Sequence, residues 1–172
     1  MKAPVRSLLL TVLASSIAAC QIPDTTMQNG AITLYGSKVV LRVLGSPKAA
    51  IEADGSLAIG DKDVAVTPAE RNLLVQYNQS VRSVHETGVA MGKAGGEMAL
   101  KAVEAKLEAK PDKADRQAQA GAGRMKKLSL DICKAEAGIK SAQDQLAAQL
   151  PAFKPYASIV SASDVANCAK DD

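Results

Sequence analysis

The sequence predicts an α+β domain: a small antiparallel β-meander packed on a long antiparallel helical hairpin, with a C-terminal segment tied back by a disulfide. Three observations predict it. Between Ala31 and Val66, β-branched residues come in short alternating runs broken by Gly36, Gly45-Ser46-Pro47, Asp54-Gly55 and Gly60-Asp61. From Thr67 onward, apolar residues recur every three or four positions over two long stretches. Cys133 and Cys168 remain as an even pair once Cys20 is given a separate role.

Residues 1–19 have the form of a bacterial lipoprotein signal peptide: Lys2 and Arg6, an apolar run from Leu8 through Leu13, then Ile17-Ala18-Ala19 before Cys20. That run is too short to cross ~30 Å of hydrocarbon as a helix, so cleavage before Cys20 and lipidation of its thiol are expected. Several acyl chains, at about 0.8 kcal/mol per buried methylene, hold a protein far longer than one. Gln21 follows the anchor where an inner-membrane retention signal would carry Asp, which by resemblance to enterobacterial sorting favours the outer membrane. The expected location is periplasmic, on a bacterial membrane through the lipid anchor. Residues 20–30 read as a lipidated tether, because QIPDTTMQNG is polar and aperiodic.

Residues 31–172 read as one domain, with the meander over 31–66, a long helix over 67–109, a second helix over 113–150 and a return segment over 151–172. In the meander, Asp54-Gly55-Ser56 as a three-residue loop sets Ala53 against Leu57 and Ile51 against Ile59. Asp61-Lys62 as the next turn sets Ile59 against Val64 and Leu57 against Val66. The apolar members then share one face, which the following helix must cover.

Thr67-Pro68-Ala69-Glu70 marks that helix's start, with Thr67 as N-cap, Pro68 at the first helical position and Glu70 closing a capping box. Its seam runs through Leu74, Tyr77, Val81, Val84, Gly88, Met91, Gly95, Met98, Ala102 and Ala105. A matching seam runs through Met125, Leu128, Ile132, Ala135, Ile139, Ala142 and Leu146. The glycine-rich stretch 117–123 leaves the second helix's start open between 113 and Arg124. Gly88, Gly92 and Gly96 fall four apart, but Glu86, Lys93, Glu97 and Lys101 share the stretch and exclude a membrane helix. Gly88, Met91, Gly92, Gly95, Gly96 and Met98 are therefore where close packing, or a soft apolar groove, is expected. The same seams serve pairing within one chain or between two.

Cys133 lies 18 residues before Pro151 and Cys168 lies 17 after it, so a reversal around Pro151 and Pro155 brings the thiols level. In an oxidising compartment the pair reads as a disulfide, and no Cys-x-x-Cys spacing suggests redox chemistry. Little else carries chemistry. His85 is the sole histidine and lacks a partner set; no nucleophile elbow, zinc spacing or phosphate-cradling loop occurs. Asp54, Asp61 and Asp63 are accounted for by hairpin turns, so no metal and no cofactor is expected. Loss of Lys2 and Arg6 with the signal lowers the formal charge from +3, and with only three Tyr and one Phe the chain offers nothing to nucleic acid. Around the hairpin tip, Lys106, Lys110, Lys113, Arg116, Arg124, Lys126 and Lys127 outnumber Glu104, Glu108, Asp112 and Asp115. That surplus suits either a solvated helix face or lipid phosphates.

The run AAIEADGSLAIGDKDVAVTPAERNLLVQYNQSV resembles the core of the YggN-like proteins, Gram-negative envelope proteins of unknown function. The resemblance rests on the acidic-glycine hairpin, the next short strand pair, and the Thr-Pro capped helix with Glu70-Arg71 and Tyr77, covering roughly residues 31–100. It implies an envelope location and supplies no catalytic residues. The lipidation cysteine and a shorter stretch between the helices depart from it. The resulting expectation is a non-catalytic envelope lipoprotein, a protein-interaction or structural module whose partner is another envelope protein. The alternative is a carrier or sensor holding a lipid or other amphiphile between sheet and helices.

Overall fold

The computed structural model describes residues 24–107 and 111–168. Cys20 and the lipoprotein signal lie outside the described residues. Six strands, β1 (Thr25–Met27), β2 (Ile32–Tyr35), β3 (Lys38–Leu41), β4 (Ala49–Ile51), β5 (Leu57–Ile59) and β6 (Lys62–Val64), form one sheet in chain order. Every neighbouring pair is antiparallel. β1 corrects the tether reading of residues 20–30: Thr25 pairs with Leu34 and Met27 with Ile32, so the sheet begins inside that polar stretch. An edge strand buries only one side, and its polarity hid it. Asp24 completes the corner, its N–H donating to Leu34 O at 2.8 Å and its Oδ2 accepting from Gly36 N–H at 2.6 Å.

The two later hairpins keep their expected faces but not their expected registers. Ile51 stands opposite Leu57, and Leu57 opposite Val64, each two residues from the predicted partner. A shift of two leaves every side chain on its own face. The first loop spans five residues because Glu52 N–H bonds Ser56 O at 3.0 Å and Gly55 N–H bonds Glu52 O at 3.0 Å. Gly55 has φ +78° and lies under the first long helix, where a Cβ would stand 2.5 Å from Arg71 O. In the second hairpin Gly60 takes φ +59°, which moves the turn to Gly60-Asp61.

Ile32, Leu34, Val39, Leu41, Ala49, Ile51 and Leu57 point from one face into the core. Two helices cover them, α1 (Pro68–Leu107) and α2 (Pro111–Gln149), each about 60 Å long at 1.5 Å per residue. The capping box forms as expected, with Thr67 N–H donating to Glu70 Oε2 at 2.7 Å and Glu70 N–H to Thr67 Oγ1 at 3.3 Å. α2 is already helical at Pro111, so residues 117–123 lie inside it. Leu74, Tyr77 and Val81 of α1 and Ile139, Ala142 and Leu146 of α2 fill the space above the sheet. Asn78 fixes α1 in place, its Nδ2 donating to Ser37 O at 2.8 Å and Ile51 O at 3.0 Å.

After α2 the chain reverses through a 3₁₀ segment, Pro151–Tyr156, into α3 (Ala162–Cys168). Phe153 meets the Tyr77 ring edge-on at 6.0 Å, and Tyr156 donates from its hydroxyl to Pro47 O at 2.6 Å. Ser161 and Asp164 close a second capping box, with Ser161 N–H donating to Asp164 Oδ2 at 2.8 Å; these bonds hold the Asp164 carboxyl below its ordinary range. Cys133 and Cys168 form the expected disulfide, their Cα atoms 5.6 Å apart.

The Tyr77 hydroxyl is buried without a protein partner, and burial pushes its phenol well above the ordinary range. Tyr77→Phe removes the unpartnered polar atom and keeps the ring. It is expected to raise stability by about 1 kcal/mol in urea denaturation.

Candidate interaction surfaces

Beyond Val89, α1 leaves the sheet and continues with α2 as an antiparallel two-helix arm. Their closest approaches are set by glycines of α2. A Cβ on Gly138 would lie 2.6 Å from Ser80 Oγ, and one on Gly121 would lie 2.5 Å from Met98 Sδ. Arg124 Nη1 pairs with Glu97 Oε2 across the hairpin at 2.9 Å, joining one of the tip cations to an acid of α1. The expected α2 seam is buried or half-buried at every position from Met125 to Leu146.

The α1 glycines stand differently from the expectation. Gly88, Gly92, Gly95 and Gly96 are exposed, and no atom lies within 4 Å of where their Cβ atoms would be. None of them packs closely, but Gly88 borders a groove of about 350 Å³ between β1 and the helices, with Thr25, Met27, Val84, His85 and Ile132. The α2-facing line passes instead through half-buried Met91, buried Ala94, half-buried Met98 and buried Ala105. Of the six residues assigned to packing or a groove, Met98 makes the close contact, and it does so with Gly121. A small crevice beside it, about 250 Å³, is lined by Ala94, Met98, Ala120 and Gly121 together with Glu97, Lys101, Gln117 and Arg124.

Gly92 and Gly96 belong to another stripe. Gly92, Gly96, Leu100, Val103 and Leu107 follow one another by three or four residues on the α1 face turned away from α2. Leu100 is 68% exposed and Leu107 83%. These side chains are not used to hold the hairpin together.

The outer face of the sheet, opposite the helices, carries Thr33, Tyr35, Lys38, Val40, Arg42 and Lys48. Arg42 donates from Nη1 to Thr33 Oγ1 and from Nη2 to Tyr35 OH at 3.3 Å, so its guanidinium lies across the strands. Lys38 pairs with Glu52 at 3.1 Å. This face was not singled out from sequence, although strand alternation places Lys38, Val40 and Arg42 together.

His85 is half-buried on α1, its Nδ1 2.6 Å from Thr25 Oγ1, which ties the edge strand to the helix. Asp54 Oδ1 accepts from Ser56 N–H at 2.9 Å, and that bond foremost lowers its pKa. Among the described residues no group of three His, Cys, Asp or Glu is placed to hold a metal ion. No helix among them is long and apolar enough to cross a membrane.

Sheet, hairpin and stapled return segment together define an α+β protein with a two-helix arm. No family model matches the chain, and no curated protein or solved structure matches it.

Proposed function

We propose that this is a non-catalytic cell-envelope lipoprotein, held in the periplasm on the outer membrane through Cys20, whose arm docks a helical segment of another envelope protein. The observation that carries the reading is the exposed stripe from Gly92 to Leu107. Its apolar area gains roughly 25 cal/mol per Å² when covered, and its glycines let a second helix axis come close. The lipoprotein-type signal supports the location. The layer between sheet and helices is filled by the chain's own Tyr77, Phe153 and Tyr156, which favours a surface-docking role over an enclosed ligand.

A photo-crosslinking residue at Leu100 or Leu107 is expected to capture a distinct envelope protein in cells, whereas one at Asp144 is not. Gly92→Ala and Gly96→Ala meet no atoms in the free protein. Each is expected to stabilise α1 by about 0.5–1 kcal/mol in thermal denaturation. The same substitutions should weaken the Leu100 crosslink by thickening the stripe. Absence of a heterologous adduct from both positions counts against the reading.

A further inference from the structure

We propose that the outer face of the sheet lies against the anionic headgroup layer of the membrane, with Arg42 and Lys48 on lipid phosphates and Leu44 inserted between them. The inference rests on the anchoring of Cys20 proposed above. Only Gln21, Ile22 and Pro23 separate Cys20 from Asp24, where the sheet begins. At ~3.3–3.6 Å per extended residue, that chain reaches at most about 14 Å. The domain is thus held against the bilayer, and the question becomes which face it turns down.

Asp24 borders one concavity, about 650 Å³, whose other lining residues are Tyr35, Gly36, Lys38, Val40, Arg42 and Lys48. Asp24 also borders a groove on the helix side, with Thr25, Val84, His85 and Gly88, so the anchor emerges at the edge of the sheet, within reach of its outer face. That face is basic where it is unpaired. Lys38 is matched by Glu52, and Asp24 bonds Gly36 N–H, while Arg42 and Lys48 form no ion pair among the described residues. The Arg42 guanidinium is held by the Thr33 and Tyr35 hydroxyls, so its remaining N–H donors are already ordered for the paired oxygens of a phosphate.

The loop joining β3 to β4 adds an independent observation. Arg42 and Lys48 bracket it, and Leu44 at its tip is fully exposed at 102%. An apolar tip flanked by cations suits the boundary between acyl chains and headgroups, where the cations meet phosphates as the leucine is buried. An acidic protein surface would satisfy the cations but would not call for the leucine.

The test uses the full acylated chain, reconstituted in vesicles of phosphatidylcholine alone or mixed with phosphatidylglycerol. Amine acylation is followed by mass spectrometry at Lys38 and Lys48, with Lys93 and Lys134 as references on the helices. On anionic vesicles, Lys48 is expected to label about fivefold more slowly, as a cation held at headgroup level does. About 1 M salt, where the Debye length is roughly 3 Å, should remove the difference. Leu44→Asp, at a position that makes no fold contact, should restore labelling of Lys48. Equal labelling on both vesicle types, or protection that survives Leu44→Asp, overturns the proposal while leaving the anchor intact. The mass of the N-terminal peptide reports the anchor separately: a chain without acyl chains on Cys20 removes the anchor and this inference with it.

Discussion

Replacing the Cys133–Cys168 disulfide with two serines is expected to lower the free energy of unfolding by about 4 kcal/mol, read from urea denaturation with and without reductant. The figure comes from the loop the bond closes, since the cysteines are 35 residues apart and chain-entropy cost rises with the logarithm of that length. Native contacts cannot supply it, because α3 has no buried residue of its own and Val165 packs only partly against the core. The bond therefore acts mainly on the unfolded chain. Locally, α3 should open first: amides of residues 162–168 should lose exchange protection before those around Gln143. A loss below about 1 kcal/mol would mean that residual structure already closes this loop in the unfolded ensemble.

Features that depend on neighbouring residues were legible in the sequence. The capping box at Thr67 and Glu70 is one, since both partners lie within a single turn. The disulfide is another, because Pro151 sits midway between its cysteines and forces the reversal that aligns them. The buried face of the meander was equally readable, as alternation alone sets it. Registers were not, because loop length was decided by a contact outside the hairpin: Arg71 of α1 lies over Gly55 and donates to Asp54 O at 3.3 Å.

Gly92, Gly95 and Gly96 were misplaced for a related reason. A three-and-four pattern fits two rotations of a helix that small residues do not distinguish, and the choice was made by Gly121 and Gly138 on the other helix. β1 was hidden because Thr25, Thr26 and Met27 become a strand only once β2 offers them an edge. The outer basic face required knowing that β2, β3 and β4 lie side by side, which brings Tyr35, Arg42 and Lys48 together from separate strands and loops. The predicted meander placed those strands side by side, but registers were assigned only to its two later hairpins.

Gln143→Leu is expected to destabilise the domain by about 4 kcal/mol, although the substitution nearly preserves volume. Gln143 is fully buried on α2 and brackets the return segment through three bonds. Its Nε2 donates to Ala157 O at 2.6 Å and Val160 O at 2.9 Å, and its Oε1 accepts from Val160 N–H at 3.0 Å. Leucine keeps the packing but leaves one buried donor and two carbonyls without partners, at about 1–3 kcal/mol for each group that stays dry. The segment it releases carries Phe153 and Tyr156, which close the core over the sheet, so the loss should appear in the global transition. Gln143→Glu separates hydrogen bonding from packing. Its carboxylate can still accept from Val160 N–H but faces two carbonyl oxygens, so burial and these neighbours would raise its pKa in the folded state. A raised folded pKa means that the native state binds the extra proton, so this variant should be most stable in acid and lose stability as pH rises through that pKa. Urea titrations of Gln143→Glu that show no pH dependence beyond wild type, or Gln143→Leu within about 0.5 kcal/mol of wild type, would show that the Gln143 bonds do not hold the return segment.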